Sequence, residues 1–182
     1  QLNPSSFFSR FAREANTQTN QYLYLYAMGR LAEKSYREAA LQLDFDIKQD
    51  NQRAAKLLND DTRRYAYRIL GVQRMNHNTD DGFNVEAVDW FRNSLDDDFS
   101  FEEAEYYAMA AIRFSRWDDV VEAISKMDAE TQKTNQWQYW LARAYEQSSD
   151  ANKRNTAKKM YQNLAKSKEY YGLMAKDKDG QR

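Results

Sequence analysis

Helix breakers are almost absent from this chain. One proline and five glycines stand among 182 residues, and apolar residues return at helical spacing in segment after segment. Trp117, Val120, Val121 and Ile124 form one such set, and Trp137, Trp140, Leu141, Ala144 and Tyr145 another. Each set is the buried stripe of an amphipathic helix. No stretch concentrates β-branched residues between turn signals in the way a strand does. A chain of this length can remove about two thirds or more of its unfolded surface from water, so an all-α fold with a sizeable core is expected.

The stripes and their interruptions predict eleven helices, at about residues 4–16, 18–34, 36–49, 51–58, 62–76, 84–96, 101–115, 117–128, 134–148, 153–167 and 168–177. Ser100-Phe101-Glu102-Glu103 is a capping box: the serine oxygen takes a helix-end amide and the glutamate reaches back to the serine amide. Asp60-Asp61-Thr62 offers capping oxygens before Arg63, and Asn78 to Gly82 is the most loop-like stretch. Nothing resembles a domain linker, so residues 1–182 are read as a single domain.

The helices beginning near Asn84, Trp117 and Lys153 carry similar stripes at offsets of about 34 to 40 residues, the period of helix-turn-helix repeats. Ala157-x-x-x-Tyr161 fits the second helix of a tetratricopeptide repeat, but the preceding loop is too long and the first-helix glycine is absent. The expected architecture is therefore a degenerate, tetratricopeptide-like superhelical array of antiparallel helix hairpins. Residues 22–32 and 104–114 are apolar nearly all round and need cover on more than one side. Ala108, Ala110 and Ala111 allow such close neighbours.

Charge excludes whole classes of function. With 27 basic and 28 acidic residues the formal charge is −1, so no long-range field draws in nucleic acid or an anionic bilayer. No apolar run approaches the roughly 20 residues of a membrane span, and no membrane insertion is expected. Zero cysteines remove disulfides, thiolate nucleophiles and thiolate metal sites, and suit either redox compartment.

Few residues stand in a pattern that chemistry needs. His77 is the only histidine and lies in a loop, where a task-free exposed ring outweighs a catalytic triad. Asn76-x-Asn78-x-Asp80-x-Gly82 misses a calcium loop, since its glycine comes one residue late and Ala87 replaces the bidentate glutamate. The carboxylates at Asp60-Asp61, Asp96-Asp97-Asp98 and Asp118-Asp119 read as helix-end charges that the helix dipole favours. A glycosidase-like pair needs a dry pocket instead. The clusters Arg63, Arg64, Arg68 and Lys153, Arg154, Lys158, Lys159 read as solvated faces. No catalytic residue, cofactor or metal is assigned.

Thirteen tyrosines suggest carbohydrate contact, because sugar faces stack on exposed rings. Trp90, Phe91, Trp117, Trp137, Trp140, Tyr145 and Tyr161 fall on apolar stripes and are expected in the core. Tyr24, Tyr67, Tyr106 and Tyr139 remain as candidate exposed rings for glycan contact.

The run from Phe101 to Gly180 resembles the helical superhelix domain of soluble lytic murein transglycosylases. The resemblance rests on Ala104-Glu105-Tyr106-Tyr107-Ala108, Arg116 to Ile124, Trp137 to Ala144 and Tyr170 to Ala175. It implies a parent enzyme, a carbon–oxygen lyase of the periplasm. That enzyme would cleave the bond between N-acetylmuramic acid and N-acetylglucosamine in peptidoglycan without water, leaving a 1,6-anhydro end. The family's catalytic glutamate precedes a serine, in a lysozyme-like domain that also carries Gly-Leu-Met-Gln. Here Gly172-Leu173-Met174 ends in Ala175, and Glu169 is followed by Tyr170, so Glu169 is not assigned as the acid. The expectation is a non-catalytic scaffold, inactive alone, whose catalytic domain follows residue 182. It would bind glycan strands weakly and dock that domain through Tyr171 and Met174. The alternative is a tetratricopeptide-like adaptor for a peptide or protein, unconnected with any enzyme.

Overall fold

The computed structural model describes residues 45–50, 52, 60–76, 86–95, 99–178 and 180. All regular structure among them is helical, and they contain no strand. Residues 45–50 are helical, followed by α1 (Asp60–Asn76), α2 (Glu86–Asn93), α3 (Phe101–Arg113), α4 (Trp117–Ser125), α5 (Ala129–Gln132), α6 (Asn135–Glu146), α7 (Ala151–Leu164) and α8 (Tyr170–Lys178). The helices expected at 4–16 and 18–34, most of 36–49, nearly all of 51–58, and the loop around His77 lie outside the described residues, as do Tyr24 and Asp96 to Asp98. Two compact units divide the chain, Gln1–Asp97 and Asp98–Arg182.

In the first unit α1 packs on α2. A side chain at Gly71 would stand 2.9 Å from the fully buried ring of Phe91, so glycine here is what lets α1 approach α2. Arg63 is not on a solvated face. It is buried, and donates to the buried Asp50 carboxylate at 2.9 Å and to Asp60 at 2.7 Å. The exchange of hydration for paired, hydrogen-bonded charge makes a cation tolerable there. Asp60 and Asp61 open α1 as i, i+3 partners of Arg63 and Arg64, and Arg68 reaches the Ser94 carbonyl at 3.2 Å.

In the second unit the capping box forms as read: Ser100 Oγ accepts from the Glu103 amide, and Glu103 accepts from the Ser100 amide. α3 ends without glycine. Ser115 takes a left-handed φ of 54°, its amide bonds Ile112 O at 3.1 Å, and Arg116 N bonds Ala111 O at 2.9 Å. These are the two bonds of a Schellman stop, which turns the chain from α3 into α4 in three residues. Ala104, Tyr107, Ala108, Ala110 and Ala111 are all fully buried, the small side chains giving the close packing their sequence implies.

The start of α7 and the whole of α5 depart from the expected boundaries. α7 begins at Ala151 because Asp150 accepts from the Asn152 amide at 2.8 Å. The one-turn α5 forms because Asp128 accepts from the amides of Glu130 and Thr131 and from the Thr131 hydroxyl. The Thr131 hydroxyl and amide hold the Asp128 carboxyl below the ordinary carboxylate range. α4 packs against α3 and α6, α7 against α6, and α8 against both α6 and α7. The unit is thus a run of short-linked helix hairpins.

Candidate interaction surface

Aromatic and ionisable side chains of the second unit gather where α6, α7 and α8 meet. The centre of this grouping is Tyr139, Ala142, Ala157, Tyr161, Leu164 and Ala175, with Trp140, Tyr145, Met160, Tyr171 and Met174 packed around them. The Tyr139 ring lies 5.4 Å from Trp140, 6.0 Å from Tyr161 and 5.6 Å from Tyr171, all tilted or edge-on. Such geometry sets ring edges against faces and adds to simple burial.

Tyr139 is therefore not an exposed ring. Only 3% of its surface meets solvent, because α7 through Tyr161 and α8 through Tyr171 both pack against it. Burial raises its phenol pKa. Tyr106 is half-buried on α3, its hydroxyl 3.5 Å from Glu102 Oε1. Burial first, then the Glu102 charge, raises its pKa. Tyr67 is half-buried on α1, in the other unit. The two tyrosines described together in one unit, Tyr106 and Tyr139, form no common face, since one is core. Phe91, Trp137 and Tyr161 are buried as their stripes predict, whereas Trp90, Trp117, Trp140 and Tyr145 are half-buried.

Charge in this region is paired through Glu146. Its Oε2 accepts from Arg143 at 3.0 Å and from the Tyr161 hydroxyl at 3.2 Å, and lies 3.5 Å from Lys178 Nζ. One carboxylate so links α6, α7 and α8. Burial, helped by Glu146, pushes the Tyr161 phenol well above its ordinary value. Arg143 also lies over the Trp117 ring at 5.7 Å, tying α6 to α4. Lys153 lies over Tyr145 at 5.9 Å, and Arg154 donates to the Ser148 and Ser149 carbonyls. The basic cluster at the start of α7 is thus partly structural.

Among the described carboxylates, Asp119 and Glu169 are each engaged by a neighbouring side chain. Asp119 is a buried group, not a solvated dipole partner: it accepts from Tyr107 at 2.6 Å and lies 3.4 Å from Arg116 Nε. Glu169 is exposed and held by the Asn135 amide at 2.6 Å. Among the described residues no three His, Cys, Asp or Glu side chains converge as metal ligands would, and no helix is long and apolar enough to cross a membrane.

Gly172 has a packing reason. A side chain there would stand 2.4 Å from the Ser167 carbonyl and 2.9 Å from that of Leu164, so its absence lets α8 close onto the end of α7. Tyr171 and Met174, expected to be a docking face, are half-buried against the unit's own core. The residues α8 turns outward are Tyr170, 68% exposed, and Leu173, 52% exposed. Nothing in the spacing distinguishes the two pairs, because all four are apolar within five positions.

The chain matches no protein-family model and none of the curated proteins. Among solved structures it is similar to an inactive mutant of the lytic transglycosylase Slt from Pseudomonas aeruginosa. The TM-score is 0.62 at 20% identity, over 95% of this chain and 26% of that one. The likeness establishes a shared fold, and the chain spans about a quarter of that protein's length.

Proposed function

We propose that this chain is a non-catalytic helical scaffold belonging to a soluble lytic murein transglycosylase. In this reading the parent acts in the periplasm, cleaving between N-acetylmuramic acid and N-acetylglucosamine to leave 1,6-anhydro ends, and its catalytic domain follows residue 182. The observation that carries the proposal is the fold shared with the Pseudomonas aeruginosa lytic transglycosylase across 95% of this chain. That likeness agrees with the independent resemblance of Phe101 to Gly180. The scaffold role is supported by the carboxylates of the second unit: Asp119 and Glu146 are engaged in ties between helices, and Glu169 is bound to Asn135. A lytic acid needs a pocket that raises its pKa beside a bound sugar. The array instead supplies rigidity, holding a catalytic domain in place and steering glycan strands by weak contacts.

Two incubations with purified peptidoglycan test this. The parent polypeptide is expected to release 1,6-anhydro muropeptides, and residues 1–182 alone to release none. Release by the chain alone, lost in Glu169→Gln, would show that the scaffold reading is wrong. A parent without activity, and without a glutamate-serine pair in a lysozyme-like stretch, would favour the tetratricopeptide-like adaptor.

A further inference from the structure

From Ala151 to Lys168 the chain places six of its 27 basic residues and none of its 28 acidic ones, and all six are exposed. On other helices cations are answered from their own helix: Arg63 pairs with Asp60, Arg92 with Asp89 and Arg143 with Glu146, each three positions away. α7 holds no carboxylate that could do this. The acids that bound the segment are already engaged, Asp150 by the Asn152 amide and Glu169 by the Asn135 side chain. Like charges at i, i+4, such as Arg154 and Lys158, repel instead. A local rule broken with no gain to the fold points to a use outside it.

The exposed side of α7 is ordered as well as charged. Asn152, Asn155, Lys159, Gln162 and Lys166, the last just past the helix end, recur at steps of three and four and are all exposed. They make one stripe, on the side away from the buried Ala157, Tyr161 and Leu164. Lys153 and Arg154 lie off it and are taken up internally, by the Tyr145 ring and by the Ser148 and Ser149 carbonyls. The stripe offers amides and ammonium groups, with no aromatic ring and no guanidinium. Amides donate and accept as a peptide backbone requires, and an ammonium group meets a carboxylate as a point charge. Stacking on a sugar face or a nucleobase needs a ring, and a chain of formal charge −1 gives a polyphosphate no wider field to follow. Lys159 and Lys166 stand seven residues apart, about 10 Å along a helix, which about three residues of extended peptide span.

We propose that this stripe is a binding face for short, extended acidic peptides, and that those peptides are the carboxylate-bearing stems of peptidoglycan. Lys159 and Lys166 each take a carboxylate, and Gln162 between them pairs with the peptide backbone. The choice of stems rests on the reading of the chain as part of a peptidoglycan lyase. The carboxylate and amide chemistry rests on the stripe alone.

Nuclear magnetic resonance titration of the 182-residue chain with three soluble probes tests the face: the free stem peptide, the same peptide with its carboxylates amidated, and glycan strands stripped of their stems. The free peptide is expected to shift the backbone amides of residues 152–166. Its affinity is expected to fall by about tenfold or more in the double variant Lys159→Glu, Lys166→Glu. Both residues are exposed, so the melting temperature of that variant should stay unchanged, which separates lost binding from lost folding. No shift at millimolar peptide, an equal response to the amidated peptide, or binding of stripped glycan at the same residues overturns the proposal. A parent that releases 1,6-anhydro product while the peptide leaves residues 152–166 unmoved keeps the lytic reading and sinks the face. Stem binding at the stripe without product from the parent does the reverse.

Discussion

The hydroxyl of Tyr107 donates a 2.6 Å hydrogen bond to Oδ1 of Asp119, joining α3 to α4 with both residues buried. A buried carboxylate stays charged at acceptable cost only while its lone pairs are occupied. Removing the phenol oxygen leaves Asp119 short of a partner, and Tyr107→Phe is expected to destabilise the second unit by about 1–3 kcal/mol. Urea denaturation followed by circular dichroism measures this, and a double-mutant cycle with Asp119→Asn should return a coupling of the same sign. Additive single effects would mean that the bond contributes nothing to holding the two helices together.

Ser115 offers a stabilising change. A left-handed conformation costs an L-residue roughly 1–2 kcal/mol, which glycine avoids while losing more entropy on folding. The carbonyls of Ala111 and Ile112 bond backbone amides, so the stop survives without the serine side chain. Ser115→Gly is expected to raise stability by about 0.5–1 kcal/mol. A fall in the melting temperature would contradict the Schellman geometry.

Adjacent tyrosines on α8 should behave oppositely. Tyr171 packs 5.6 Å from the Tyr139 ring and is half-buried, whereas Tyr170 is largely exposed. Tyr171→Ala is expected to cost about 2 kcal/mol, below the roughly 3–5 kcal/mol of a fully buried aromatic. Tyr170→Ala should stay within about 0.5 kcal/mol. Thermal melts of the 182-residue chain decide between them, and equal losses would remove the distinction between the inner and outer faces of α8.

The raised phenol of Tyr161 fixes the sign of an alkaline effect. Burial, and then the Glu146 charge, favour the neutral ring in the folded state, while an unfolded tyrosine ionises near pH 10. The stability this provides is complete below about pH 10 and falls as pH rises from there towards the folded pKa. Tyr139 is shifted in the same direction by burial. The melting temperature is expected to drop more steeply above about pH 10 in the native chain than in Tyr161→Phe. Parallel profiles would show that the ring ionises as easily folded as unfolded.

Local signals determined much of the helical pattern. The scarcity of glycine and proline, the apolar stripes at 117–124 and 137–145 and the Ser100 capping box act within one or two turns. The helices they imply are present from Asp60 onwards wherever the structure describes the chain. Asp128 and Asp150 were legible cap residues too, though the expected boundaries did not use them.

What only the tertiary structure decided is which polar and aromatic residues lie inside. Tyr139 and Tyr106 carry the same side chain, but α7 and α8 pack over the first, while the second stays half-buried on α3. Arg63 and Asp119 look like surface charges until Asp50, thirteen residues before the first, and Tyr107, twelve before the second, are brought against them. Tyr170 and Tyr171 are neighbours in sequence and point to different environments. Helix formation depends on residues three or four apart. Burial depends on the partner helix that arrives, and neither spacing nor composition specifies that partner.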